Sequence, residues 1–116
     1  MQEEVALFKA LSDPTRLRLA VLLAVHGETC VCDLAAALDE PDYKISRHLG
    51  ILRSGGLVEA RREGSWMYYR LAENRIALAK DLHACLCDSL NEHPTVREDL
   101  GRLKKRCEKG ARCDCC

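Results

Sequence analysis

Long apolar runs are missing from this chain. The longest unbroken one in its 116 residues is Leu19 to Val25, far short of the ~20 residues that cross a bilayer, so a membrane-spanning helix is excluded. The N-terminus, MQEEVALFKALSD, has no basic region ahead of an apolar stretch, which argues against a secretion signal and for the cytoplasm. Aromatic residues are only 4% of the chain, and their one cluster, Trp66, Tyr68 and Tyr69, reads as hairpin packing rather than a base-stacking surface. No Ser/His/Asp set and no phosphate-cradling glycine loop marks a catalytic centre, so an enzyme is not expected. The two C-x-x-C pairs that a zinc ribbon needs are absent as well. Net charge is zero, which taken alone argues against a nucleic-acid partner.

That zero hides a division along the chain. Residues 1 to 42 hold three basic and eight acidic side chains, residues 43 to 70 hold six and two, and residues 71 to 116 hold nine and eight. The positive field is therefore concentrated in the middle. Eight cysteines are present, and in a chain read as cytosolic they point to metal or redox chemistry rather than a disulfide framework. They fall into three groups: Cys30 and Cys32; Cys85 and Cys87; and Cys107, Cys113, Cys115 and Cys116. The length suits one domain, residues 1–106, small enough to gain from pairing with a second copy. A mobile cysteine-rich tail, residues 107–116, follows it.

Helical periodicity predicts a first helix over Glu3 to Leu11, ending at SDPT. Asp13 then caps a second, buried helix with Pro14 at its first position, and His26-Gly27 ends it. A third helix starts at Cys30 or Val31 and runs to Leu38. After a short turn a fourth follows, Tyr43 to Ser54, closed by Gly55-Gly56. At ~100° per residue Ile45, Leu49 and Leu52 share one narrow stripe, while Tyr43, Lys44, Arg47 and Ser54 lie opposite. This is a helix-turn-helix pattern with a free, basic outer arc. Leu57 to Arg62 and Trp66 to Leu71 form a hairpin across Glu63-Gly64-Ser65, a wing whose Arg61, Arg62 and Arg70 can reach phosphate or the minor groove. Asn74 to Leu90 is a long amphipathic helix suited to a dimer face with helix one, and Val96, Leu100 and Leu103 mark a last short helix. The expected fold is mainly α with a β-hairpin wing: a homodimeric winged helix-turn-helix.

Four ordered motifs, DPTRLRLAVLL, ETCVCDLAAAL, KISRHLGILRSGGLV and REGSWMYYRL, resemble those of the ArsR/SmtB metalloregulatory repressors, over about Leu7 to Leu71. The cysteine box is most similar to that of the arsenic-responsive members. The resemblance implies a homodimeric repressor that sits on double-stranded operator DNA and leaves when a toxic metal or metalloid binds. It maps the family's ligands onto Cys30 and Cys32. Ala35 stands where the arsenic-type box often has a third cysteine, so the third thiolate is missing or comes from elsewhere: from Cys107, Cys113, Cys115 or Cys116, or, less favourably, from Cys85 or Cys87. A second family site on the dimer helix is matched by Asp81, His83 and His93, but Val96 replaces its carboxylate and the site reads as degenerate. The cadmium and lead sensors of the family share CVCDL but add cysteines near the N-terminus, and none precedes Cys30 here.

Trivalent arsenic and antimony are soft and favour three thiolates, so As(III), with Sb(III) beside it, is the expected inducer and no catalytic cofactor is implied. A Cd-, Pb- or Zn-responsive repressor and a thiol redox switch are the alternatives. Within one helix, residues two apart point ~200° from each other, so Cys30 and Cys32 would share an ion only if that turn loosened. The helix N-terminus is expected to lower their thiol pKa. For DNA the candidates are Tyr43, Lys44, Ser46, Arg47, His48, Arg61, Arg62 and Arg70, with His48 on the shoulder of the buried stripe, where packing is at least as good a reading as base contact.

Overall fold

The computed structural model describes residues 1–73 and 76–108. Its elements in chain order are α1 (Gln2–Leu11), α2 (Pro14–His26), β1 (Thr29–Cys30), α3 (Val31–Leu38), α4 (Asp42–Ser54), β2 (Val58–Glu63), β3 (Trp66–Leu71), α5 (Ala77–Leu90) and α6 (Pro94–Glu108). Local chemistry explains most boundaries. Asp13 is extended, and its carboxylate accepts from the Arg16 backbone N–H at 3.1 Å, with Pro14 next in line where its missing N–H costs nothing. Gly27, at φ 91°, turns the chain out of α2. Gly55 is required for a different reason: a Cβ there would lie 2.7 Å from the Ala10 Cβ, so the end of α4 can meet α1 only without a side chain.

The core is one apolar cluster. Leu19 to Leu23 of α2 sit at its centre, and Ile45, Leu49 and Leu52 of α4 are each 0% exposed. The predicted stripe is thus the packed face, and the turn between α3 and α4 sets the two helices as a helix-turn-helix. Burial of such side chains stabilises by ~1.5 to 3 kcal/mol each. β2 and β3 pair antiparallel from Val58↔Leu71 to Glu63↔Trp66, and the architecture is a winged helix-turn-helix.

Three features depart from expectation. The sheet has a third strand: β1 pairs antiparallel with β3 through Thr29↔Tyr69 and Cys30↔Tyr68, giving the order β1-β3-β2. Two residues are too few to show a period of two, and their partners are remote in sequence. The helix expected from Asn74 begins at Ala77, with residues 74 and 75 outside those described. α6 runs through Cys107 to Glu108, so that cysteine is helical, and the expected tail beyond it, with Cys113, Cys115 and Cys116, lies outside the described residues.

α6 lies along α3 and is tied to it at both ends. Asp99, 0% exposed, receives Arg18 Nε and Nη2 at 2.9 and 2.7 Å and Arg102 Nη2 at 2.7 Å. Arg102 also donates from Nε to the Ala37 carbonyl at 2.6 Å, near the end of α3. At the other end Arg106 Nε donates to Asp33 Oδ1 at 2.6 Å, in the first turn of α3.

Candidate metal centre and nucleic-acid interface

Cys30 is the N-cap of α3 and is extended (φ −79°, ψ 158°), while Cys32 belongs to the helix's first turn. The strand-to-helix junction turns the two side chains toward each other: Cys30 Sγ and Cys32 Sγ are 3.8 Å apart. The requirement that the turn loosen is therefore overturned, because only one of the two cysteines is helical. Bonds of ~2.3 Å, the length of a zinc–thiolate bond, span 3.8 Å at an angle of ~110°, so the pair is already at chelating distance. Asp33 completes a group of three ligand atoms within 4.8 Å of one another. Its carboxylate is a hard ligand already held by Arg106.

Both cysteines are 2% exposed and are covered by Trp66 and Tyr68 of β3. Cys30 is a free thiol, whereas Cys32 has a further interaction of its own. Burial pushes the Cys30 thiol up to about 11, with the Asp33 carboxylate adding to the shift and the backbone N–H groups of Asp33 and Cys32 opposing it. The expected lowering is thus reversed at Cys30. The helix amides act in the anticipated direction, but desolvation under the wing aromatics exceeds them. The part played by Trp66 and Tyr68 was missed in the sequence, where both read as hairpin packing alone.

Ala35, one turn beyond Cys32, lines with it, Asp39, Pro41 and Arg106 a cavity of about 400 Å³. Cys107 Sγ lies 3.8 Å from His26 Nε2, and the Asp33 charge acts on Cys107 as it does on Cys30. Cys85 and Cys87 are on α5, the former exposed with Sγ 3.9 Å from Ser89 Oγ. The residues expected of the second site do not assemble among the described atoms: His93 Nδ1 accepts from the Thr95 backbone N–H at 3.2 Å, and the buried His83 Nε2 has no hydrogen-bond partner.

On the opposite side of α4, Tyr43 is 79% exposed, and Ser46 and Arg47 are also exposed. Lys44 pairs with Glu40 at 3.1 Å. His48 is not on this arc: it is 7% exposed, with Nδ1 3.4 Å from Arg16 Nη1 and 3.9 Å from Asp13 Oδ2, in the seam between α4 and the start of α2. Burial lowers its pKa, against the opposing pull of Asp13. On the wing Arg62 is exposed with no ion-pair partner among the described residues, and Arg70 pairs across the hairpin with Glu59. Arg61 is turned toward Glu28, at the approach to Cys30. Its Nε and Nη2 hold Glu28, its Nη1 holds Glu63 at 2.8 Å, and its guanidinium lies 4.6 Å over the Tyr68 ring.

Comparison with known proteins agrees with this architecture. The family model described as bacterial regulatory protein, arsR family, matches residues 13–60. The arsenical resistance operon repressor of Escherichia coli K12 is 53% identical over 95 residues, which is 80% of this chain and 81% of that one. Among solved structures, the homodimeric winged helix-turn-helix DNA-binding domain from Mycobacterium bovis superposes with a TM-score of 0.62 at 30% identity, over 95% of this chain and 85% of that one. The AntR antimony-specific transcriptional repressor gives 0.60 at 35%, over 71% of each chain. The relatives are DNA-binding regulators rather than enzymes, no described helix is long and apolar enough to cross a membrane, and this chain belongs to the ArsR family of bacterial transcriptional repressors.

Proposed function

We propose that the protein is a cytoplasmic, homodimeric repressor that holds double-stranded operator DNA and releases it when As(III), or Sb(III), is captured by Cys30 and Cys32. The observation that carries this reading is the 3.8 Å approach of the two sulfurs at the head of the helix-turn-helix. Arsenical repressors among the relatives support the inducer's identity. The third sulfur comes from the C-terminal set, Cys107, Cys113, Cys115 and Cys116, since Asp33 offers only a committed oxygen. Val5 and Phe8 of α1, 44% and 53% exposed, are large apolar side chains that a second copy would cover, in keeping with a homodimeric relative.

In the dimer two α4 helices enter successive major grooves, ~34 to 36 Å apart. Tyr43, Lys44, Ser46 and Arg47 face the bases and backbone, with Arg62 and Arg70 on the flanking phosphates. Because Cys30 is at once a strand residue of the wing sheet and the cap of α3, drawing the preformed pair toward a third sulfur acts on both DNA-contacting parts. β3 carries the displacement into the wing, and α3 carries it through the turn into α4. A coupling of ~1 to 3 kcal/mol, typical of allostery, weakens the complex five- to about 150-fold.

The test is release of a labelled inverted-repeat operator at fixed salt under reductant. Wild type should dissociate with arsenite, and Cys30→Ser and Cys32→Ser should each stay bound at all doses. Normal release by both variants removes the site, and release by peroxide but not arsenite replaces the metalloid with a redox switch.

A further inference from the structure

Asp33, in the first turn of α3, places a carboxylate beside two sulfurs that a soft metalloid would use without it. One of its oxygens, Cys30 Sγ and Cys32 Sγ lie within 4.8 Å of one another. Around a tetrahedral cation with metal–sulfur and metal–oxygen bonds of ~2.3 and ~2.1 Å, a sulfur and an oxygen are about 3.6 Å apart, so a small side-chain rotation would bring all three onto one ion. Two thiolates, a carboxylate oxygen and a solvent molecule make a full ligand set for a divalent cation of the zinc or cadmium class.

That oxygen source is already engaged. Arg106, in the last turn of α6, donates from Nε to Asp33 Oδ1 at 2.6 Å, and the two side chains are only 29% and 14% exposed. A charge-assisted hydrogen bond is among the stronger kinds, and a guanidinium keeps its charge at any working pH. One turn earlier on α6, Arg102 holds the Ala37 carbonyl near the other end of α3. A cation that draws Asp33 in must therefore displace Arg106, stand close to its positive charge and undo one end of the α3–α6 tie. A trivalent arsenical bound by three thiolates is neutral and uses sulfur alone, so it meets none of these obstacles.

We propose that Arg106 sets the specificity of the Cys30 and Cys32 site: by holding the Asp33 carboxylate it withholds an oxygen ligand from divalent cations and leaves the pair to acceptors that bind through sulfur. The proposal rests on the reading of Cys30 and Cys32 as the metalloid site. Arg106 acts through Asp33 and is a positioning residue rather than a ligand.

The test titrates the full, reduced chain separately with cadmium and with arsenite, each read by its thiolate charge-transfer band under competition, with the fold of every variant checked by circular dichroism. Arg106→Gln should raise the ratio of cadmium to arsenite affinity about tenfold. In an Asp33→Asn background, which has no carboxylate to release, the same change should leave the ratio where it was. An unchanged ratio in Arg106→Gln, or a rise that survives Asp33→Asn, overturns the role of Arg106 and leaves the metalloid site standing. Binding of both ions that ignores Cys30→Ser and Cys32→Ser overturns the site itself and this proposal with it.

Discussion

Arg61 of the wing grips Glu28, the residue immediately before β1: its Nε lies 3.0 Å from both carboxylate oxygens and its Nη2 2.7 Å from Oε1. Cys30, two residues on, pairs with Tyr68, over whose ring Arg61 lies. One arginine thus touches both the approach to β1 and the strand that covers the two sulfurs. On this geometry Arg61 ties the wing to the residue that leads into β1.

Arg61→Gln should therefore shift the arsenite dose needed for release while leaving the salt dependence of operator binding nearly unchanged. Arg62→Gln should do the opposite, reducing the slope of log affinity against log salt by about one and leaving the dose response in place. Anisotropy titrations at several salt concentrations separate the two. Equal loss of slope in both variants would place Arg61 on the DNA.

Ala35 lines the cavity beside Cys32, one helical turn away on the same face. Ala35→Cys should supply a third sulfur from α3 itself and make arsenite release independent of Cys107, Cys113, Cys115 and Cys116. Replacing those four by Ser should then block release in the parent and leave it intact in the Ala35→Cys background. Release unaffected by the four replacements in the parent would remove the C-terminal ligand.

The raised Cys30 thiol gives a pH signature. A divalent cation must displace the thiol proton, so cadmium affinity at this site should rise with pH by up to about tenfold per unit for the Cys30 thiol. Arsenite carries its own hydroxides and takes up the displaced protons as water, so its apparent affinity should be nearly flat between pH 6 and 8. Calorimetry in buffers of different ionisation enthalpy reads the proton count directly. The folded chain also holds this proton more tightly than the unfolded one. That contribution to stability is whole below the ordinary thiol value of 9.0 and fades as the pH rises toward about 11.

Asp99 is 0% exposed and accepts from Arg18 and Arg102, the latter also bonded to Ala37 of α3. Asp99→Ala strands these donors, and a broken buried pair costs ~3 to 5 kcal/mol. With Arg18 and Arg102 themselves 25% and 41% exposed, the lower end, about 3 kcal/mol, is the expected loss in urea denaturation. A change below ~1 kcal/mol would deny α6 its part in holding α3.

How much of this was legible in the sequence follows from the range of each interaction. Ile45, Leu49 and Leu52 reveal the packed face of α4 because helical periodicity is local, and Asp13-Pro14 announces α2 for the same reason. The cysteine box gives the sulfurs' identity but not their geometry. Whether Cys30 and Cys32 converge depends on Cys30 being extended, and it is held so by pairing with Tyr68, far along the chain. The raised thiol needs the cover of Trp66 and Tyr68, and Arg61's partner Glu28 lies across the fold. His48, on the shoulder of its helix, is assigned to the seam only by Asp13 and Arg16 of a different helix. Each of these is a tertiary fact.

Arsenic-edge X-ray absorption on the reduced, arsenite-loaded protein reads the sulfur shell at Cys30 and Cys32 itself. The wild type should show three sulfur neighbours, and the Cys30→Ser, Cys32→Ser double variant should lose that shell and stay on its operator. A full three-sulfur shell in the double variant, with normal release from DNA, would contradict capture by this pair.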